Sequence, residues 1–318
     1  MTLDPRPMTL DPSRGVAGLK GALRYVRAYR DRVFVVKLGG EVLADRDGLG
    51  QVAAQLALLS SLGIRVVVVH GGGPQATALS RRLGVDPTIV AGRRVTDEHA
   101  LSVAKMVYAG ELNTDLVAIL NWHEAQAVGL TGIDGDLVTV RRRPPVQMVD
   151  DDGVARLVDF GWVGDVERVD PRALLALLDA RFMPVVASLA ADEEGQVYNV
   201  NADTVAERLA VALHAQKLIF LTGAPGVLRN RADPSTLVAF ADPDDLAELI
   251  RSGAIAGGMR PKVEACIRAA TSGVERTHIV DGREPDAILM EVFTGAGSGT
   301  MIVGRKEKAT YLGVDLAD

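Results

Sequence analysis

The alternation of short β-branched runs with segments of helical period is what most narrows the folds open to this chain. Residues 33–38, 64–69, 128–131, 183–188, 217–222 and 277–280 are short and β-branched, and most end in glycine or a small polar residue. Between them, 50–62, 97–124, 171–180, 204–214, 243–252 and 262–272 carry helical spacing. Continuous apolar strands are buried on both faces, and parallel neighbours need long crossovers, which helices supply. The pattern therefore predicts an α/β fold: a doubly wound, mainly parallel central sheet with helices on both faces. A further amphipathic helix is predicted over 16–31, where Val16, Leu19, Leu23 and Val26 form one stripe. Ahead of it, Met1-Thr2-Leu3-Asp4-Pro5 is repeated from Met8 to Pro12, and residues 1–15 are read as a disordered leader with a second start site at Met8. Residues 141–166, with Arg141-Arg142-Arg143-Pro144-Pro145, break the pattern and suggest a hairpin excursion. A new strand-and-helix series follows the loop 190–195, which places a boundary near Ala190 and divides the core into 32–190 and 191–318.

Charge and cysteine content exclude several function classes. The 318 residues hold 35 Lys and Arg against 41 Asp and Glu, a formal charge of −6. A sequence-independent nucleic-acid binder needs the opposite excess to displace phosphate counterions. Cys266 is the one cysteine, which excludes an intramolecular disulfide and a multi-Cys metal site; its helical surroundings mark a small core residue. No metal site belonging to the protein itself is predicted. No apolar h-region opens the chain and no run approaches the roughly 20 residues that span a bilayer, so no membrane partner is expected and a cytoplasmic location is.

Two glycine runs follow strand signals and precede helical ones: Val35-Val36-Lys37-Leu38-Gly39-Gly40 and Val69-His70-Gly71-Gly72-Gly73-Pro74. Glycines there let backbone N–H groups approach an anion, and the next helix adds its positive end. Ligands of open α/β sheets bind at the carboxyl ends of the strands, where both runs fall. One such run would read as a tight turn; two, one of them with a lysine, favour phosphate. Neither has Walker spacing, and Gly295, Gly297 and Gly299 do not complete a dinucleotide fingerprint, so an oxidoreductase is disfavoured. In Asn199-Val200-Asn201-Ala202-Asp203, period two would turn two amides and a carboxylate to one side. Asp203 reads equally well as a helix N-cap, and the spacing leaves both open. Gly257-Gly258-Met259-Arg260-Pro261-Lys262 delivers a second lysine to a helix start, a weak signal alone.

Taken in order, Lys37-Leu38-Gly39-Gly40, His70-Gly71-Gly72-Gly73-Pro74-Gln75, Gly92-Arg93-Arg94-Val95-Thr96-Asp97, the Asn199 to Asp203 segment, Leu221-Thr222-Gly223-Ala224-Pro225-Gly226 and the turn to Lys262 resemble the amino acid kinase family. The likeness covers about 16–303 and is nearest to the acetylglutamate kinases of the arginine pathway. The resemblance implies ATP with Mg²⁺ as cofactor and N-acetyl-L-glutamate as substrate. It implies that Lys37 and Lys262 contact the transferring phosphoryl group and that Asp203 orients them. Gly39, Gly40, Gly72 and Gly73 would give backbone donors to the phosphates. Arg94, Asn199 and Asn201 would hold the acetylated amino acid, and Thr222, Gly226 and Met259 would lie beside the nucleotide. An acceptor carboxylate with a reference pKa of about 4.3 is already ionised at neutral pH, so no catalytic base is needed. His70 is accordingly read as structural.

The chain departs from the family pattern at Gly223-Ala224, where a carboxylate is usual, and at Ile133, Arg260 and Asp286. Two other readings compete: the family branch acting on aminoadipyl or glutamyl groups displayed on an acidic carrier protein, which 141–143 could meet, and a non-catalytic amino-acid sensor. The Asn-Val-Asn-Ala-Asp segment favours the free acetylated acid, and retention of Lys37, Asp203 and Lys262 favours turnover. In arginine-sensitive members, a helix like 16–31 interlaces subunits. The resemblance thus implies a homo-oligomer, dimer or hexamer, and an L-arginine site near Tyr25, Lys217, His278, Glu291 and Gly297. Whether a nitrogen-signalling protein docks on the chain is not written in the sequence.

Overall fold

The computed structural model describes residues 12–90, 93–149, 155–294 and 297–304. The predicted leader therefore falls largely outside the described residues. Helix α1 (Pro12–Tyr29) starts four residues before the expected Val16, so 12–15 are helical rather than leader.

One eight-stranded sheet runs through the core, in the order β14 (Phe240–Ala241), β16 (Thr300–Val303), β15 (Arg276–Asp281), β13 (Lys217–Thr222), β1 (Val33–Leu38), β2 (Arg65–His70), β10 (Met183–Ala187) and β5 (Ala127–Thr131). Every neighbouring pair is parallel except β15 with β16. β1 lies at the centre, with Lys37 level with Phe220 of β13 and Val69 of β2.

The strand period sorts residues between two cores. Phe34, Val36 and Leu38 of β1 pack with Val66 and Val68 on one face, under α3 (Arg46–Ser61), α6 (Asn113–Trp122) and α11 (Ala287–Phe293). Val35 joins Val67, Val69, Leu218 and Phe220 on the other, under α7 (Arg172–Asp179), α8 (Ala202–Ala212), α9 (Pro243–Arg251) and α10 (Met259–Thr271). Lys37 is two residues on from Val35, so it emerges on the α8 and α10 side at the carboxyl end of the sheet. Burying a valine or leucine side chain contributes about 1.5–3 kcal/mol, so the apolar strands fix this register and thereby the lysine's direction. Cys266 is fully buried in α10, and burial pushes its thiol up to about 12, in keeping with a core residue.

A second sheet, β12 (Val197–Asn199), β11 (Leu189–Ala191), β6 (Val138–Arg142) and β9 (Gly164–Val169), stands beyond the end of β10. The expected excursion carries a hairpin of β7 (Val146–Val149) and β8 (Ala155–Val158). Its arginine run is neutralised within the chain. Arg141 faces Glu167 at 3.6 Å, Arg142 pairs with Asp159 at 2.8 Å and Arg143 with Asp165 at 2.6 Å.

The predicted helix 97–124 is continuous but not uniform. α5 (Glu98–Ala104) passes into a π-helix, Lys105–Leu112, and then into α6. Among the described residues no helix is long and apolar enough to cross a membrane.

Candidate active site

Four turns, three of them containing glycine, lead from strands or loops into helices around one cleft. β1 ends at Leu38, with Gly39 ahead of α2 (Gly40–Ala44), and β2 ends at His70, ahead of α4 (Gly73–Arg82). Asn201 opens α8, and Gly258 opens α10. First-turn N–H groups have no intrahelical partner, so these helix starts leave donors and positive dipole ends near the cleft. The cleft measures about 600 Å³, and its walls include Lys37, Gly40, Gly72, Gly73, Arg94, Asn199, Asn201, Asp203 and Lys262.

At its floor, the Lys37 ammonium lies 2.7 Å from Oδ1 of Asp203, and Lys262 Nζ donates to Oδ2 at 3.0 Å. Burial alone would push the Asp203 carboxyl up, but the lysine charges outweigh it and hold the group below its usual range. Burial and the neighbouring Lys262 charge lower the Lys37 pKa, while Asp203 opposes them. The cluster pairs two lysine side chains with one carboxylate, an arrangement suited to a polyanion.

Asn201, not Asp203, is the N-cap of α8: its side-chain oxygen accepts from the N–H groups of Asp203 and Thr204 at 2.8 and 3.1 Å. The capping alternative for Asp203 is thereby corrected. The strict alternation expected from Asn199 to Asp203 also ends, because the strand turns into a helix at Asn201, yet all three residues still line the cleft.

Arg94 is anchored on one side only. Its Nη2 donates to the Gly73 carbonyl at 2.8 Å and to the Thr77 hydroxyl, while Nη1 is buried without a hydrogen-bond partner. A buried guanidinium nitrogen left unpaired is costly, so it points to a ligand that supplies the acceptor. Asn199 donates to the Thr96 hydroxyl at 3.2 Å.

Gly39 needs correction as a phosphate donor. Its N–H already donates to the Leu221 carbonyl at 2.8 Å, and it is absent from the cleft wall. A β-carbon there would stand 2.8 Å from that carbonyl oxygen, so close packing of β1 on β13 accounts for the glycine. Thr222, Gly226 and Met259 are likewise outside the cleft wall. The Thr222 hydroxyl is engaged with Ala224, and Gly226 has φ of 143° in the same turn.

His70 is fully buried, with Nδ1 2.9 Å from the Gly71 carbonyl and Nε2 3.0 Å from the Asn113 amide. Burial lowers its pKa to about 4, so it is neutral at neutral pH and structural, as the sequence indicated.

Tyr25, Lys217, His278, Glu291 and Gly297 gather elsewhere, near the starts of β13 and β15. Lys217 Nζ lies 3.0 Å from His278 Nε2, whose ring carries on through Nδ1 to Glu291 at 2.7 Å. Glu291 also accepts from Ser298 N at 2.7 Å, and Gly297 packs against its carboxylate. Tyr25 stacks on Tyr29, whose ring lies 5.2 Å from the Lys217 ammonium.

Sequence reasoning missed Thr77 and Tyr108 in the cleft. Thr77 sits one helical turn past Gly73, a position the glycine motif could have flagged. Tyr108 was not marked as a site residue, because the π-helix that presents it shares the apolar spacing of an ordinary helix.

Residues 32–281 match the model of the amino acid kinase family. The chain is 49% identical to acetylglutamate kinase of Myxococcus xanthus (strain DK1622), over 93% of this chain and 96% of the relative. Against acetylglutamate kinase of Synechococcus sp. (strain RCC307) the identity is 44%, over 97% and 100%. Among solved structures, N-acetylglutamate synthase from Neisseria gonorrhoeae complexed with coenzyme A and N-acetyl-glutamate superposes with a TM-score of 0.77 at 29% identity. That match covers 91% of this chain and 63% of the synthase, so the chain spans less than two thirds of that protein. Carbamate kinase from Giardia lamblia bound to AMP-PNP shares the fold, with a TM-score of 0.61 at 18% identity over 86% of this chain and 98% of the kinase.

Proposed function

This chain belongs to the amino acid kinase family, and from its cleft we propose that it transfers a phosphoryl group from ATP to the γ-carboxylate of N-acetyl-L-glutamate, forming an acyl phosphate in arginine biosynthesis. The observation that carries the reading is the bridge from Lys37 through Asp203 to Lys262 at the floor of a cleft whose wall holds an unpaired Arg94 nitrogen.

Phosphoryl transfer asks little covalent chemistry of a protein and depends on positioning and on positive charge around the equatorial oxygens. Lys37 and Lys262 supply that charge, and Asp203 keeps two like charges side by side before the nucleotide arrives. Gly40, Gly72 and Gly73 let the phosphates approach the backbone. Arg94, Asn199 and Asn201 hold the acid, whose γ-carboxylate attacks as the anion it already is.

Both oxygens of Asp203 face lysines, and among the described residues no group of three or more His, Cys, Asp or Glu could hold a metal ion. Mg²⁺ would enter with the nucleotide and would supply further positive charge to the phosphates beside Lys37 and Lys262.

In the same reading, 32–190 holds the acid and makes the subunit contact, and 191–318 holds the nucleotide beside Thr222, Gly226 and Met259. The enzyme works in the cytoplasm as a homo-oligomer and is inhibited by L-arginine bound near Tyr25, Lys217, His278, Glu291 and Gly297. The convergence of those five residues supports the inhibitor site, with Glu291 as guanidinium acceptor and Lys217 as partner for a carboxylate.

The test is ATP consumption with N-acetyl-L-glutamate beside free glutamate, aspartate and a carrier-linked aminoadipate. Turnover is expected with the acetylated acid; turnover confined to the carrier-linked group would move the chain to the lysine branch.

A further inference from the structure

We propose that Tyr108, presented by the π-helix Lys105–Leu112, is a binding residue for the acid substrate, donating its hydroxyl proton to the α-carboxylate that Arg94 also holds. The inference rests on the activity proposed above and deepens it by naming a residue that sets affinity for the acid.

An eight-residue π-helix between two α-helical segments is uncommon, and π-turns are found disproportionately at functional sites because they re-aim side chains. Here the segment seats the Tyr108 ring against the glycine run after β2. A β-carbon on Gly72 would stand 2.8 and 2.9 Å from two ring atoms and 2.5 Å from Leu112. Gly72 is thus glycine as much for this ring as for any phosphate. The Tyr108 side chain lines the cleft with Gly73, Thr77 and Arg94, and the residue is 5% exposed.

Among the described residues its hydroxyl makes no hydrogen bond, which leaves its proton available to a ligand in the cleft that Tyr108 lines. Burial raises the phenol pKa, and the Arg94 charge opposes the rise without reversing it. The hydroxyl is therefore a proton donor at any physiological pH. Arg94 brings the second free donor, because Nη2 is spent on Gly73 and Thr77 and Nη1 is not. A carboxylate has one oxygen for each. The γ-carboxylate must face the lysines to react, which leaves the α-carboxylate for this pair.

Tyr108→Phe keeps the ring on Gly72 and removes only the hydroxyl. The experiment measures KM for both substrates, kcat, the melting temperature and calorimetric binding of N-acetyl-L-glutamate. A lost hydrogen bond to a charged group should raise KM and Kd for the acid about tenfold or more. KM for ATP, kcat at saturating acid and the melting temperature should stay near wild type, a split that a merely structural role would not give. KM and Kd within twofold of wild type would overturn the proposal. So would a loss confined to kcat. A wild-type chain that neither binds nor phosphorylates N-acetyl-L-glutamate would overturn the proposed activity, and this assignment with it, before any substitution is made.

Discussion

Lys37 and Asp203 meet at 2.7 Å with side chains 8% and 6% exposed, joining the centre of the sheet to the first turn of α8. Removing one partner of such a pair leaves the other as an uncompensated buried charge. Lys37→Ala and Lys262→Ala should each lower kcat by about 10²-fold or more, since loss of one preorganised donor costs ~3 kcal/mol of transition-state stabilisation. Steady-state kinetics at saturating substrates checks this. Near-normal kcat in both variants would remove the lysines from the site.

Arg94→Lys should act mainly on KM for the acid. A lysine ammonium cannot hold Gly73 and Thr77 while offering a second planar N–H to a carboxylate. An unchanged KM for the acid, with the protein folded, would refute the role.

Gly39→Ala tests the corrected reading of the first glycine run. The added methyl would meet the Leu221 carbonyl in the centre of the sheet, where the backbone has no room to move. Overpacking of this kind costs about 1–3 kcal/mol, so the melting temperature should fall by several degrees. A melting temperature equal to wild type would contradict the packing account.

Stability should decline on mild acidification. His70 and His278 are fully buried with pKa values lowered by burial to about 4, whereas in the unfolded chain they titrate near 6.5. Between those values the unfolded chain binds more protons, so stability is complete above about pH 6.5 and is lost as the pH falls towards 4, by roughly 3 kcal/mol for each histidine. Burial raises the Glu291 pKa, but its bond from His278 and nearby positive charge bring the group down to about 2, and its contribution disappears at still lower pH. Melting curves from pH 8 to 4 should show the slope, and His70→Gln should make it shallower. A curve flat to pH 4.5 would contradict the burial of neutral imidazoles.

The strands and most helices were legible because burial on both sheet faces writes period and apolar content directly into the chain. Of the site, Lys37, Asp203 and Lys262 could be marked, since each stands at a strand end or helix start with a glycine or amide signature. Gly39 was misread because a glycine that admits an anion and one that admits a neighbouring strand look alike in sequence. Of the small sheet, β6 and β9 overlapped the stretch read as a hairpin excursion and β11 the stretch read as a loop, because these strands lack the continuous apolar runs of the central sheet. Tyr108 stayed hidden because the i to i+5 bonding that turns it to the cleft depends on packing against the Gly72 run, a contact distant along the chain.

L-Arginine should inhibit by binding the less active arrangement better, since an effector shifts an equilibrium only through differential affinity. Tyr25→Ala should relieve the inhibition while leaving uninhibited kcat near wild type, because Tyr25 stacks on Tyr29 and is not part of the cleft wall. Activity against arginine concentration checks both; a wild-type enzyme indifferent to arginine would end the regulatory reading.

The most direct measurement of the central claim is the product itself. The full chain incubated with ATP, Mg²⁺, N-acetyl-L-glutamate and hydroxylamine should yield one γ-hydroxamate for each ADP formed, because an acyl phosphate is trapped by the amine. It should yield none when the acid is omitted or replaced by free glutamate. ADP formed without hydroxamate, or hydroxamate formed only from a carrier-linked acid, would contradict the account.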